Sequence, residues 1–339
     1  MNNISLKRKA KVVLLKGLYL FFIALFCTLL LLLSTFGWNL WNRPEANGAD
    51  KLIKLEEQLK AHVFKLSNQI GDRSVFDYKK LEAAADYISS QFSSMGYAVD
   101  FQTFETEGKD VRNIIAVKKG NSKPEEIIVV GAHYDTCFNP GADDNASAVA
   151  GLLELARDII DIDTERTVYF VAFVNEEPPF FQTDSMGSVY FVKHSAQDKN
   201  NIIFAIILEM IGYYTNEPNS QRYPPFLGIL YPNRGNYIAV IGNLNSRNLT
   251  KTLVSEFKKQ TDFPIESLID IGLFQGTDFS DHWSFWQQGI PAVMITDTSF
   301  YRNPFYHTQK DTADTLNYTN MASVVDGLSA VLLNMANKK

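Results

Sequence analysis

The chain has 339 residues, 46% hydrophobic and 21% charged, ordinary values that exclude a largely disordered or collagen-like protein. The net charge of -6 is unevenly spread: residues 1–50 hold six basic and two acidic side chains, so 26 of the 32 basic and 36 of the 38 acidic residues lie beyond them. An acidic body argues against nucleic-acid binding and leaves carboxylates for divalent metals, and two cysteines, Cys27 and Cys137, exclude a disulfide-stapled fold.

Residues 17–36 form an uncharged run, GLYLFFIALFCTLLLLLSTF. About 20 apolar residues suffice for a helix to cross a bilayer. Basic residues between Lys7 and Lys16 precede the run, and Trp38 and Trp41 follow it. Segment 17–38 therefore reads as one transmembrane anchor, with residues 1–16 in the cytoplasm. The body is then expected on the non-cytoplasmic side, periplasmic or extracellular. A cleaved signal peptide fits less well, because its apolar core spans only ~7–15 residues and ends in small residues. Residues 39–50 are polar and turn-rich and read as a linker.

Apolar residues at three-to-four spacing predict helices over 52–70 and 78–95, the second closed by Gly96. Strands are expected at 112–117 and 126–132, a helix at 145–160, and a strand at 167–174. A short helix at 185–194 and a strand at 202–208 follow. Residues 215–232, rich in Pro, Asn and Tyr, read as a surface loop. A strand at 237–242, a helix at 246–259, a strand at 292–296 and a helix at 319–337 complete the chain. This alternation predicts a three-layer α/β/α sandwich around a mixed, mostly parallel sheet.

Acidic or histidine clusters stand where strands end. The first gives His133 and Asp135, the next Glu176 and Glu177, and the third Glu209. Ligands of open α/β sheets bind beyond the carboxyl ends of the strands, so these five are placed to share one rim. A loop with Asp143, Asp144 and Asn145 opens a helix, and His307, Asp311 and Asp314 come late in the chain. Histidine and carboxylate suit zinc, and shared carboxylates allow two ions ~3.5–4 Å apart. Each cluster alone is unspecific, since an Asp-Asp-Asn turn commonly caps a helix.

The segments VVGAHYDT, NPGADDNASAVAGLLELAR, FVNEEPPFF with MGS after it, LEMIGYY, SDHWSFWQQGIPA and NPFYHTQKDTADTL occur in order. Over about residues 52–335 they resemble metallopeptidase family 28, the co-catalytic di-zinc aminopeptidases, whose fold is shared by glutamate carboxypeptidase, transferrin receptor and glutaminyl cyclase. The resemblance implies a zinc peptidase domain at 51–339 that binds two zinc ions and hydrolyses peptides. It implies that His133 and Glu209 bind one zinc, that Glu177 and His307 bind the other, and that Asp144 bridges them. A cis peptide would follow Asp144. Asp135 would orient the His133 ring, and Glu176 would be the general base. Many relatives carry Asp where this chain has Glu209.

Other residues take lesser expectations. Asp281 and His282, in SDH, resemble the family's sequence near the substrate pocket and are expected behind the ligands or in the framework. Cys137 reads as a small loop hydrophobe, and His62 and His194 as surface or packing residues. Arg73 is expected in an ion pair that fixes helices. Tyr213, Tyr214, Phe226, Tyr231, Phe300 and Tyr301 suggest an apolar side-chain pocket. Three alternatives accompany the aminopeptidase. They are a single-zinc glutaminyl cyclase-like enzyme, a carboxypeptidase using Arg222, Arg234 or Arg302, and a receptor-like ectodomain without catalysis. The expected partners are a peptide substrate and, through the anchor, a membrane; the sequence is silent on oligomeric state.

Overall fold

A computed structural model of the chain describes residues 47–194 and 201–337. The expected anchor at 17–38 lies outside them. Among the described residues no helix is long and apolar enough to cross a membrane. The chain divides after Lys51 into two units, and apart from the first residues of its leading helix the account below concerns the second.

Helix α1 (Asn47–Val63) begins inside the expected linker, with Asp50 in its first turn, where a carboxylate favours helix initiation. It widens into a looser turn at Phe64–Ile70 and stops at Gly71. After α2 (Tyr78–Ser94) come β1 (Val99–Thr106), β2 (Lys109–Lys118), β3 (Lys123–His133), α3 (Ala148–Ile159), β4 (Arg166–Phe173) and α4 (Gly187–His194). Then follow β5 (Ile202–Glu209), β6 (Ile238–Asn243), α5 (Arg247–Gln260), β7 (Ile265–Asp270), α6 (His282–Gln287), β8 (Ala292–Thr296) and α7 (Tyr318–Ala336). Strands β1 and β7 and helix α6 were not expected. Both strands are sheet edges with mostly solvent-touching residues, so neither shows a long apolar run.

Among the described residues the eight strands form one sheet in the order β1-β2-β4-β3-β5-β8-β6-β7. The central run β4-β3-β5-β8 is parallel, while β1–β2, β2–β4 and β6–β8 are antiparallel. The sheet is thus mixed. Alternation along β3 supplies two cores. Ile128, Val130 and Ala132 pack with Leu59, Leu81, Leu152, Leu253 and Val325 from α1, α2, α3, α5 and α7. Ile127 and Val129 pack on the opposite face with Phe191 of α4 and Phe285 of α6. Three layers result, and the parallel centre brings the carboxyl ends of β3, β4 and β5 to one rim.

Gly187 fixes that rim from behind. Its N–H donates to the Val174 carbonyl at 2.7 Å and its carbonyl accepts from Asn113 Nδ2 at 2.8 Å. A Cβ there would stand 2.3 Å from Asn113 Oδ1 and 2.4 Å from Val174 O. Gly187→Ala is expected to destabilise the domain by about 1–3 kcal/mol in urea unfolding. An unchanged midpoint would show that α4 shifts freely.

Candidate functional site

His133 ends β3 and faces Phe173 of β4, while Glu209 ends β5 beside Thr296 of β8. Past β4 the chain turns through Asn175, at φ 57, a left-handed conformation that asparagine tolerates well. Glu176 and Glu177 follow. Their N–H groups donate to Asp135 Oδ1 and Oδ2, each at 3.0 Å. Asp135 therefore pins the Glu176–Glu177 turn while its Oδ1 stands 3.4 Å from His133 Nδ1.

Asp144 arrives on a tight loop that begins at Gly141, at φ 56. A Cβ at Gly141 would lie 2.2 Å from Thr136 Cγ2 and 2.3 Å from Asp144 O, so only glycine closes the loop. Asp311 grips the same loop, accepting from the N–H groups of Asp143 at 2.9 Å and Asp144 at 3.0 Å. The Asp144–Asn145 peptide is cis. The adjacent aspartates take different parts. Asp143 accepts from Gly212 N at 2.9 Å and Asn303 Nδ2 at 2.7 Å. Asp144 instead faces the histidines.

Asp144 presents Oδ1 to His133 Nε2 at 3.4 Å and Oδ2 to His307 Nε2 at 3.1 Å. Glu209 Oε2 stands 3.4 Å from His133 Nε2, and Glu177 Oε2 stands 3.1 Å from His307 Nε2. Glu176 Oε2 is more distant, 3.8 Å from His133 Nε2. The structure thus brings together His133, Asp144, Glu176, Glu177, Glu209 and His307, with Asp135 directly behind. The longer Glu209 side chain is steadied by Ser280 Oγ, which donates to Oε2 at 2.7 Å.

The electrostatics call for a cation. Burial alone would lower the His133 pKa, but Glu209, Glu176, Asp135 and Asp144 outweigh it and hold it well above the usual range. Burial likewise opposes, and Asp144 and Glu177 overcome it, at His307, which rises to about 10. Burial, reinforced by Asp144, raises Glu177 to about 8 despite the two histidines. Burial also pushes Glu176 well up. Asp144 goes the other way: burial is overridden by His133 and His307, which keep it ionised. A metal held here would supply the positive charge that these carboxylates favour at the two imidazoles.

The donors also fit zinc by geometry. His133 Nε2, His307 Nε2 and Glu177 Oε1 are buried without hydrogen-bond partners. Two ligands each ~2.0–2.2 Å from one tetrahedral zinc lie roughly 3.3–3.6 Å apart. The histidine–carboxylate separations of 3.1–3.4 Å nearly match that spacing. His133, Asp144 and Glu209 form one donor group. Glu177 and His307 form another, joined by Cys137, whose sulfur lies within 4.8 Å of both. Burial and the nearby carboxylates push the Cys137 thiol up to about 12.

A cavity of about 250 Å³ opens beside these groups, and Asp144, Glu176, Glu177, Glu209 and His307 form part of its wall. Tyr231, Phe300 and Tyr301 line it as expected, whereas Tyr213, Tyr214 and Phe226 are not part of its wall. Sequence reading missed Phe181, Tyr223, Tyr237, Ile241, Leu268, Phe279, Met294 and Tyr306, which add to its apolar surface. The alternation of Ala239 and Ile241 on β6 is a signal that could have found part of it.

Several peripheral expectations change. Arg302 is buried, donating to Gln221 Oε1 and the Tyr237 carbonyl at 2.8 Å, and braces the framework. Arg222 lies at the cavity wall and donates to the Phe300 carbonyl at 2.7 Å, whereas Arg234 is exposed and outside that wall. Arg73 makes no ion pair by hydrogen bonding; its guanidinium donates to backbone carbonyls. Asp281 is buried, and burial raises it to about 7. His282 is buried at α6, with Nε2 against the Thr277 carbonyl at 2.8 Å. His62 bridges helices through Glu154 at 2.9 Å and Tyr87 at 2.7 Å, and His194 stacks on Tyr190.

The family model described as peptidase family M28 matches residues 113–332. An uncharacterised protein of Escherichia coli (strain K12), YfbL, is 43% identical over 288 residues, covering 82% of this chain and 88% of that protein. Aminopeptidase YwaD of Bacillus subtilis (strain 168) is 26% identical over 234 residues, covering 67% of this chain and 45% of its own length. The solved structure of BSAP, a zinc aminopeptidase from Bacillus subtilis, superposes with a TM-score of 0.67 at 17% identity, covering 84% of this chain and 95% of that one. That likeness establishes the shared mixed α/β fold.

Asp135→Asn replaces an acceptor by an amide facing the Glu176–Glu177 N–H groups. It is expected to weaken zinc binding about 10–100-fold in chelator competition. In the parent protein, apparent zinc affinity should rise with pH across the neutral range, because His133 and His307 must shed protons. A pH-independent affinity would contradict the donor assignment.

Proposed function

Because the chain belongs to peptidase family M28, we propose that it is a di-zinc exopeptidase that removes residues from the amino end of peptides. The observation that carries this reading is Asp144, which divides its two carboxylate oxygens between His133 and His307. His133 and Glu209 would hold one ion, Glu177 and His307 the other, and Asp144 both. Zinc bound there supplies Lewis acidity and makes water more acidic.

The chain's own residues do the rest. Glu176 reaches the cavity wall beside the donors, and its backbone is fixed by Asp135. Burial raises its proton affinity, which suits a group that must accept and then release a proton. Glu176 takes a proton from the attacking water as its oxygen bonds to the acyl carbon. It passes that proton to the departing nitrogen as the C–N bond breaks. The apolar wall, with Tyr237, Ile241, Leu268 and Met294, would accept the side chain of the residue being released.

The complete second donor pair, Glu177 and His307, favours this reading over a single-zinc cyclase, and the presence of Glu176 favours it over a silent receptor. We also propose that segment 17–38 anchors the enzyme, with its domain on the non-cytoplasmic side. The apolar run and the basic residues before it support that placement.

Glu176→Gln is expected to retain zinc and lower turnover by about 10²–10⁴-fold. Full turnover in that variant would remove Glu176 from its role. One peptide offered with free and with acetylated amino terminus tests the reaction itself. Stepwise release from only the free form is expected. Cleavage from the carboxyl end of both would make the enzyme a carboxypeptidase and direct attention to Arg222.

A further inference from the structure

We propose that Cys137 is a sulfur ligand to the cation on the Glu177–His307 side of the centre. The proposal rests on the di-zinc reading above and extends it. Cys137 Sγ, a Glu177 carboxylate oxygen and a His307 ring nitrogen all lie within 4.8 Å of one another. Two buried atoms beside the sulfur lack hydrogen-bond partners and leave room for an occupant. Glu177 is only 4% exposed, and its Oε1 has no hydrogen-bond partner. His307 Nε2 also lacks one, although Glu177 Oε2 and Asp144 Oδ2 stand 3.1 Å away.

The backbone around the cysteine is held for such a task. Asn139 Nδ2 donates to the Cys137 carbonyl at 2.9 Å, and Gln309 Nε2 donates to the next carbonyl, of Phe138, at 2.6 Å. The second bond ties the cysteine loop to the segment that carries His307. Cys137 is not part of the cavity wall, whereas Glu177 and His307 are. Sulfur would thus approach the ion from behind and leave the substrate face open.

With Cys137 the ion gains four protein donors: sulfur, the imidazole nitrogen, and oxygens of Glu177 and Asp144. The His133 side has three among the residues named here. The sulfur–metal bond forms as the S–H proton leaves to solvent. A thiolate donor would bias this half of the centre toward zinc or cadmium and away from magnesium or manganese. The two halves would then differ in metal preference although they share Asp144.

The test uses the full-length chain, stripped of metal and loaded with cobalt(II), read by absorption. Wild type and Cys27→Ser are expected to show a sulfur-to-cobalt charge-transfer band in the near ultraviolet. Cys137→Ser is expected to lose that band and keep the visible cobalt transitions. Alkylation of Cys137 by iodoacetamide should also slow on loading. Visible transitions without a charge-transfer band in wild type would overturn the sulfur ligand and leave the di-metal reading standing. Persistence of the band in Cys137→Ser would overturn it too. Failure of wild type to bind cobalt at all would overturn both.

Discussion

A buried guanidinium holds the ground on which this site is built. Arg73 is fully buried, and its donors reach the carbonyls of Tyr134 at 2.8 Å, Leu66 at 3.1 Å, Gly71 at 3.0 Å, Pro140 at 2.8 Å and Gly141 at 2.9 Å. Those carbonyls belong to the turn after α1, the exit of β3 and the loop that delivers Asp144. One planar group thereby joins three backbone segments that have no sheet or helix in common. Burial lowers its pKa to about 10, with Asp311, Asp135 and Asp144 opposing the fall, so it stays charged at neutral pH. A buried charge costs several kcal/mol unless its surroundings are polar. Here carbonyl dipoles and nearby carboxylates provide that environment. Lysine, with three donors on one point, would not span it.

Above that base, negative charge accumulates at the ends of β3, β4 and β5. The fold fixes the carboxylates by backbone N–H groups, as Asp135 and Asp311 do, and leaves inward-facing oxygens for a cation. Left-handed residues mark the same rim: Asn175 before Glu176, Met210 after Glu209, and His307 itself. Such conformations cost of order 1–3 kcal/mol when the residue is not glycine. They persist because the surroundings specify them. The Met210 N–H donates to Asn145 Oδ1 at 2.9 Å, and its carbonyl accepts from Asp297 N at 2.7 Å.

Much of this was legible in the chain. Long apolar strands ending in His133, Glu176–Glu177 and Glu209 reveal both sheet and rim, because buried parallel strands leave no alternation to misread. The choice of Asp144 over Asp143 is different. Both are buried, and their partners tell them apart: Asp143 is taken up by Gly212 and Asn303, whereas Asp144 faces the histidines. The pattern alone left them equivalent, and resemblance separated them. Arg73 was visible as a residue but not as a carbonyl clamp, because its partners come from distant loops. The nearness of Cys137 to Glu177 and His307 was hidden for a like reason: they are 40 and 170 positions away in number. Edge strands β1 and β7 escaped because half-exposed strands carry mixed composition.

The cavity has a consequence beyond its shape. Its far wall comes from 221–241, 266–268 and 275–301, whereas the donors come from the ends of β3, β4 and β5, from the loop that carries Asp144 and from His307. On β8 the two duties meet: Met294 and Thr296 face the cavity while Val293 and Ile295 lie in the main core. The wall can therefore be rewritten by exchanges that leave every donor in place. A lineage carrying this fold is free to drift in diet, one wall residue at a time, while its reaction chemistry stays inherited.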